Sequence, residues 1–164
     1  MMPAHTPWLG NAVALLGFVG LCLLAGAVGG GITASSIRTW YALLPHPPGT
    51  PPDWVFAPVW TTLYVLMGVA GWLVWRRPAI GQRQALALWG WQLLANALWT
   101  PAFFGLHSPA LALAVILALL ALLGRTIAAF FAQDRLAAGL LLPYAAWSCY
   151  ATYLNAGFLW LNPG

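Results

Sequence analysis

Long apolar stretches separated by short polar breaks dominate this chain. Five stretches hold about 20 or more residues each, and arginine, aspartate, glycine or proline interrupts them. A helix of about 20 apolar residues crosses the roughly 30 Å hydrocarbon core of a bilayer. Because backbone groups in lipid must be satisfied internally and period-2 alternation is absent, the stretches are predicted to be helices. Their predicted bounds are about 8–32, 56–75, 85–104, 110–131 and 136–161.

The pattern therefore predicts an all-α membrane protein, a five-transmembrane-helix bundle that forms one domain over residues 1–164. Three of the predicted connections are short, but the first, about 33–57, is long and rich in proline and aromatic residues. So many prolines prevent a continuous helix. Its aromatic residues, among them Trp40 and Trp54, favour a lid packed over the bundle. Anchoring of these aromatics at the membrane interface is the alternative.

Composition supports a membrane location and limits the kinds of partner. Hydrophobic residues make up 62% of the chain and charged residues 5%, too few to cover a water-facing surface. The arginines are dispersed at segment ends, which is typical of membrane topology and not of nucleic-acid binding. Arg76, Arg77, Arg83 and Arg135 flank the second and fourth loops. In an inner membrane, this predicts a cytoplasmic N-terminus.

Residues for acid–base or metal chemistry are scarce. The two acids, Asp53 and Asp134, fall on opposite predicted sides of the membrane, so they cannot form a catalytic pair. The three histidines are isolated, and no metal-ligand spacing occurs. The sequence predicts neither a metal centre nor an acid–base enzyme.

Aromatic residues inside the predicted helices are the main candidates for a binding site. The chain contains 11 tryptophans, and Trp60, Trp99 and Trp147 lie within spans and away from the interfaces. They either wall a pocket for a flat apolar ligand or fill the bundle core. Asn96 either orients a ligand or bonds between helices. The pair Gly26-x-x-x-Gly30 allows close helix approach, within the bundle or in a dimer.

Four stretches carry a family resemblance. They are PPDWVFAPVWTTLY at 51–64, RTWY at 38–41, NALWTPAFFG at 96–105, and PYAAW at 143–147 with YLN at 153–155. They occur in order over about residues 30–160, and together they resemble the tryptophan-rich sensory protein family. This is the bacterial branch of the translocator protein, or peripheral benzodiazepine receptor.

The resemblance implies a five-helix bundle, commonly a homodimer, with loop 1 covering a cavity. Family ligands are porphyrins such as protoporphyrin IX, isoquinoline carboxamides, benzodiazepines and, in animals, cholesterol. Carried over by position, the resemblance implies a ligand-binding set of Tyr41, Pro51, Phe56, Trp60, Tyr64, Asn96, Trp99, Trp147, Ala151 and Leu154. No Lys or Arg follows Arg135, so the C-terminal cholesterol pattern of the animal proteins is absent and a sterol ligand is doubtful.

The resemblance thus implies a bacterial membrane receptor for porphyrins, including haem-type tetrapyrroles, that acts in sensing or transport. The porphyrin is the ligand, and no cofactor or metal is required. One alternative is light-dependent porphyrin degradation, in which Trp60 and Trp147 assist photo-oxidation. Another is a membrane scaffold that works without a ligand.

Overall fold

The computed structural model describes residues 8–162, and helices and turns form its regular structure there. The α-helices are α1 (Trp8–Ser36), α2 (Phe56–Trp75), α3 (Gln82–Thr100), α4 (Pro109–Gln133), α5 (Arg135–Leu140) and α6 (Leu142–Leu161). Two 3₁₀ turns, Tyr41–Leu43 and Asp53–Val55, lie in the first loop, and a π turn, Pro101–Gly105, follows α3.

The long helices match the expected bilayer-spanning architecture. Three of them, Trp8–Ser36, Asp53–Trp75 with its leading turn, and Pro109–Gln133, are long and apolar enough to cross a membrane by length and composition. Helices α3 and α6, with 19 and 20 residues, complete the bundle. The prediction of an all-α bundle of five long helices is confirmed. Large apolar side chains such as Leu16 and Trp160 face outward, as expected for a surface that lipid covers.

Two helices differ from their predicted bounds at a proline. The predicted fifth helix, 136–161, is divided into α5 and α6 at Leu141. Pro143 lacks an N–H, and its ring collides with the carbonyl four residues earlier in a regular helix. The predicted third helix, 85–104, begins at Gln82 and becomes a π turn at Pro101, where Leu106 N–H donates to Pro101 O at 2.8 Å. In addition, α1 continues to Ser36, so the connection that forms the lid begins four residues later than predicted.

Helices α1 and α2 make a close backbone contact through glycine in the half of the bundle that lies away from the lid. A Cβ atom on Gly68 would lie 2.6 Å from Val19 Cα and 2.8 Å from Val19 N. Such distances leave room for hydrogen only, as in other membrane helix pairs that meet at small residues. Gly71 packs in the same way against the rings of Phe18 and Trp89. Helices α1 and α2 are therefore held in close contact around Gly68 and Gly71.

We expect Gly68→Ala to destabilise the protein by about 1–3 kcal/mol, because the methyl group meets backbone that cannot rotate away. The measurement is thermal unfolding in detergent. A fluorogenic maleimide monitors it, because the buried Cys22 thiol reacts only when the protein unfolds, and Cys149→Ser removes the exposed thiol. Gly124→Ala is the control, because a Cβ at that site in α4 meets nothing within 4 Å. An equal unfolding temperature for the two variants would contradict the tight contact.

The end of the bundle opposite the lid is held by polar contacts between loops. Arg77 Nη1 lies 2.9 Å from Asp134 Oδ2, and Gln133 Nε2 donates to Ile80 O at 2.9 Å. The other carboxylate oxygen, Asp134 Oδ1, accepts from the first N–H groups of α5. Near the start of α1, Trp72 Nε1 donates to Asn11 O at 3.1 Å. The start of α1 and the second and fourth loops therefore share one end of the bundle.

Candidate functional site: a covered aromatic cavity

A cavity of about 500 Å³ lies between α1, α2, α3 and α6 in the lid half of the bundle. This volume falls within the roughly 300–1,000 Å³ of small-molecule sites. Nine of the ten residues in the ligand-binding set line it, namely Tyr41, Phe56, Trp60, Tyr64, Asn96, Trp99, Trp147, Ala151 and Leu154. Pro51 is not among the lining residues, because it lies in the extended stretch before the 3₁₀ turn at Asp53–Val55.

One wall of the cavity consists of aromatic rings from α2 and α6. Trp60 stacks on Tyr64 with ring centroids 5.6 Å apart, and it meets Trp147 edge to face at 6.5 Å. Phe56 closes the row against Trp147 at 6.2 Å. These distances lie near the usual range for favourable aromatic pairs. The half-buried tryptophans both pack on the core and line the cavity.

The opposite wall comes from α3 and its π turn. Trp99 donates from Nε1 to Asn155 Oδ1 at 3.0 Å, and its ring stacks on Phe103 at 5.3 Å. Asn155 in turn donates to Pro109 O at 2.8 Å, which fixes the acceptor. The consecutive residues Phe103 and Phe104 of the π turn are both buried and both line the cavity.

Asn96 lies at the floor of the cavity and connects three helices. Tyr64 Oη donates to Asn96 Oδ1 at 2.7 Å, and Asn96 Nδ2 donates to Tyr144 Oη at 2.9 Å. All three side chains are buried. The amide therefore links α3 to α2 and α6, which is the interhelical role. The same contacts hold the Tyr64 ring in place as part of the cavity wall.

The first loop, residues 37–55, forms a lid over one end of the cavity and is attached mainly to α6. Tyr150 and Tyr153 donate from their hydroxyls to the carbonyls of Gly49 and Pro48, and the second of these bonds is 2.9 Å long. Pro47 packs so closely on α6 that a Cβ on Gly157 would lie 2.5 Å from its ring. The lid that was predicted from the prolines and aromatics is present as a packed segment.

Tyr41 is a buried residue of the lid that lines the cavity. It is 5% exposed and packs against Phe104 and Phe158, with ring centroids 5.5 and 5.2 Å away. Burial, reinforced by the negative charge of Asp53, raises the pKa of the Tyr41 hydroxyl to about 12. The hydroxyl therefore remains protonated at physiological pH and is available as a hydrogen-bond donor.

The cavity opens sideways, between the lid-end halves of α1 and α2. Beyond Gly26, which still contacts Tyr64, α1 leaves α2 and packs on α3 instead. A Cβ on Gly29 would contact Thr100, and Ser36 Oγ donates to Phe104 O at 2.7 Å. The exposed lining residues belong to α1 or to the start of α2 and its preceding turn; they are Leu23, Ala27, Gly30, Ala34, Asp53, Ala57 and Thr61. The lining residues of α3 and α6 are buried or half-buried. The opening thus faces the lipid-covered side of the bundle.

The contribution of α1 was missed from sequence. Gly26 and Gly30 were interpreted through their spacing as helix-packing positions, and the neighbouring Gly29 was not considered. In the structure their roles are split. Gly26 and Gly29 approach Tyr64 and Thr100, whereas a Cβ on Gly30 would meet nothing within 4 Å. A run of small residues on the lid half of α1 was the available signal for a cavity wall.

The sequence of this chain is similar to those of known proteins. The model of the TspO/MBR family matches residues 18–161. The chain is 37% identical over 149 residues to the tryptophan-rich protein TspO of Chlorobaculum tepidum, covering 88% of this chain and 93% of that protein. It is 43% identical over 123 residues to the tryptophan-rich sensory protein of Cereibacter sphaeroides, covering 75% and 77%. It is also 36% identical over 152 residues to the translocator protein of Bos taurus, covering 91% and 88%.

Proposed function

Because the chain belongs to the TspO/MBR family of multi-pass membrane proteins, we propose that it is a membrane receptor for porphyrins and related flat apolar ligands, acting in tetrapyrrole sensing or transport. The observation that carries this proposal is the cavity of about 500 Å³, which Trp60, Trp99 and Trp147 line with their rings. A flat conjugated ring binds favourably against these indole rings, since each aromatic contact contributes about 0.5–1.5 kcal/mol of binding free energy beyond the burial of apolar area.

The opening between α1 and α2 supports access from the membrane. An apolar ring partitions into the bilayer, and the exposed lining residues Ala27, Gly30 and Thr61 place the opening where lipid surrounds the helices. The lid, bonded to α6, covers the end of the cavity. In this proposal the ligand moves between lipid and cavity without crossing the aqueous phase.

The test is a titration of the detergent-solubilised protein with protoporphyrin IX in the dark, followed by tryptophan fluorescence. We expect saturable quenching, with Trp60→Leu and Trp147→Leu each weakening affinity about threefold to tenfold through loss of an aromatic face. Trp91→Leu is the matched control, because Trp91 is exposed on α3 and does not line the cavity. Linear quenching that is the same in all variants would indicate partitioning into the micelle and would favour a scaffold without ligand.

A second candidate function is light-dependent breakdown of the bound porphyrin. The observation that favours it is the 6.5 Å separation of the Trp60 and Trp147 rings on one cavity wall. These rings would lie beside a bound sensitiser, where oxygen and light supply the oxidant. The test is porphyrin bleaching under illumination with wild-type protein, with Trp60→Leu and without protein. Equal bleaching rates in all three samples would exclude this activity.

Membrane orientation and assembly form part of the same proposal. The arginine-bearing second and fourth loops share one end with the start of α1, so in a bacterial inner membrane this end faces the cytoplasm. The lid then faces outward. We further propose that two copies of the chain form a homodimer. Sterol is not part of the proposed ligand class.

A further inference from the structure

The cavity wall carries a single formal charge among the described residues. Its lining consists of apolar, aromatic, small and neutral polar side chains together with Asp53, and it includes no arginine, lysine or histidine. A ligand in this cavity therefore meets a carboxylate at one point and no basic group elsewhere on the wall. A carboxylate on the ligand would pair best with an arginine or lysine, and no lining residue supplies one here.

Asp53 lies at the rim, where the lid meets α2 and the opening begins. It is the first residue of the 3₁₀ turn that leads into α2, and it is exposed, one turn before the lining residues Phe56 and Ala57. Within residues 8–162, the ion pair that the structure contains joins Arg77 to Asp134 at the other end of the bundle. Arg38, the basic residue between α1 and the lid, neither lines the cavity nor forms an ion pair with Asp53.

The position of Asp53 just before α2 explains only in part why an acidic residue occurs there. An acidic side chain near the first turn of α2 interacts favourably with the helix dipole, and such a role needs no contact with a cavity. Asp53, however, forms part of the wall, and its charge acts on the buried hydroxyl of Tyr41, another lining residue. Asp53 therefore adds a negative charge to the wall of the cavity.

We propose that Asp53 makes the cavity charge-selective, so that it prefers flat rings whose substituents at the lid end are neutral or cationic over the same rings bearing carboxylates. This inference rests on the proposed function and narrows its ligand class. A carboxylate placed beside Asp53 is repelled, whereas an ammonium group at the same place is attracted. Because the site is at a rim reached by solvent, each effect is about fivefold in affinity at low ionic strength and decreases with salt.

The experiment compares three ligands that share one ring system. They are protoporphyrin IX with two carboxylates, its neutral dimethyl ester, and a derivative whose two side chains end in amines. Each is titrated in the dark against wild type and Asp53→Asn, which removes the charge and keeps the size of the side chain. Arg38→Gln is the control, since it changes the charge at the same end of the bundle without altering the cavity wall.

We expect Asp53→Asn to raise the affinity for the dicarboxylate about fivefold, to lower that for the diamine about fivefold, and to leave the diester within twofold. Arg38→Gln should change none of the three affinities by more than twofold. If Asp53→Asn shifts all three ligands together, or none of them, charge selection is wrong although the receptor function stands. If wild type binds none of the three rings saturably, both the receptor function and the inference are overturned.

Discussion

Ala151→Trp is expected to weaken ring-ligand binding by about 100-fold or more while the protein remains folded. Ala151 is half-buried on α6 and lines the cavity, one turn from Trp147 on one side and beside Leu154 on the other. An indole at this position extends into space that the ligand requires, because the surrounding aromatic rings are held by mutual contacts and cannot move apart. Filling a cavity rather than creating one keeps the core packed, so unfolding temperature should change little.

The measurement is the dark titration with the neutral porphyrin diester, combined with thermal unfolding of the same samples. Ala146→Trp is the matched control: the same substitution on the same helix, at a position that is exposed and does not line the cavity. Ala146→Trp should bind as wild type does. Undiminished binding by Ala151→Trp, with the fold intact, would mean that the ligand lies elsewhere on the protein.

Gly30→Trp is expected to slow ligand exchange at least tenfold in both directions while changing the dissociation constant less than threefold. Gly30 is exposed, lines the cavity and has open space where a Cβ would project. An indole there occupies the opening between α1 and α2 and raises the barrier for passage. Since bound and free states are both left largely unchanged, association and dissociation slow together, and affinity is preserved.

Stopped-flow mixing of porphyrin-loaded vesicles with protein in lipid nanodiscs measures both rates. Gly31→Trp is a close control, because Gly31 is the next residue, is also exposed and would likewise place a Cβ where nothing lies within 4 Å, yet it does not line the cavity. Wild-type rates in Gly30→Trp would place the access route elsewhere. Tyr153→Phe, which removes a hydrogen bond from lid to α6, would then be expected to accelerate exchange.

Much of the candidate site could be predicted from the sequence, but the grounds for the prediction differ from residue to residue. The placement of Trp60, Trp99 and Trp147 in helical spans follows from hydropathy, and the matched motifs implied that they face one cavity, which the structure shows them lining. Asn96 was ambiguous from sequence, because a buried amide suits a ligand or another helix equally well. Only the positions of Tyr64 and Tyr144, which are distant in sequence, show that its bonds are interhelical.

Other features depend on contacts that local patterns do not encode. Phe103 and Phe104, which belong to the π turn at Pro101–Gly105, both line the cavity wall, and neither was predicted from sequence. Pro51 was expected in the site, yet the extended lid segment that contains it leaves it outside the lining. The exposed position of Asp53 at the rim likewise depends on how the lid meets α2.

The sequence by itself determined that this chain is a bundle of lipid-facing helices, because apolar runs of bilayer length without period-2 alternation satisfy their backbone groups in lipid as helices. It also determined that the stretch of about residues 33–57 could not be one helix, because prolines forbid it. Only the tertiary structure decided where the cavity opens. The opening forms because α1 packs on α2 at Gly68 but on α3 at Gly29, so that α1 and α2 separate between these two levels. This separation depends on how three helices pack together, and the sequence of any one helix does not specify it.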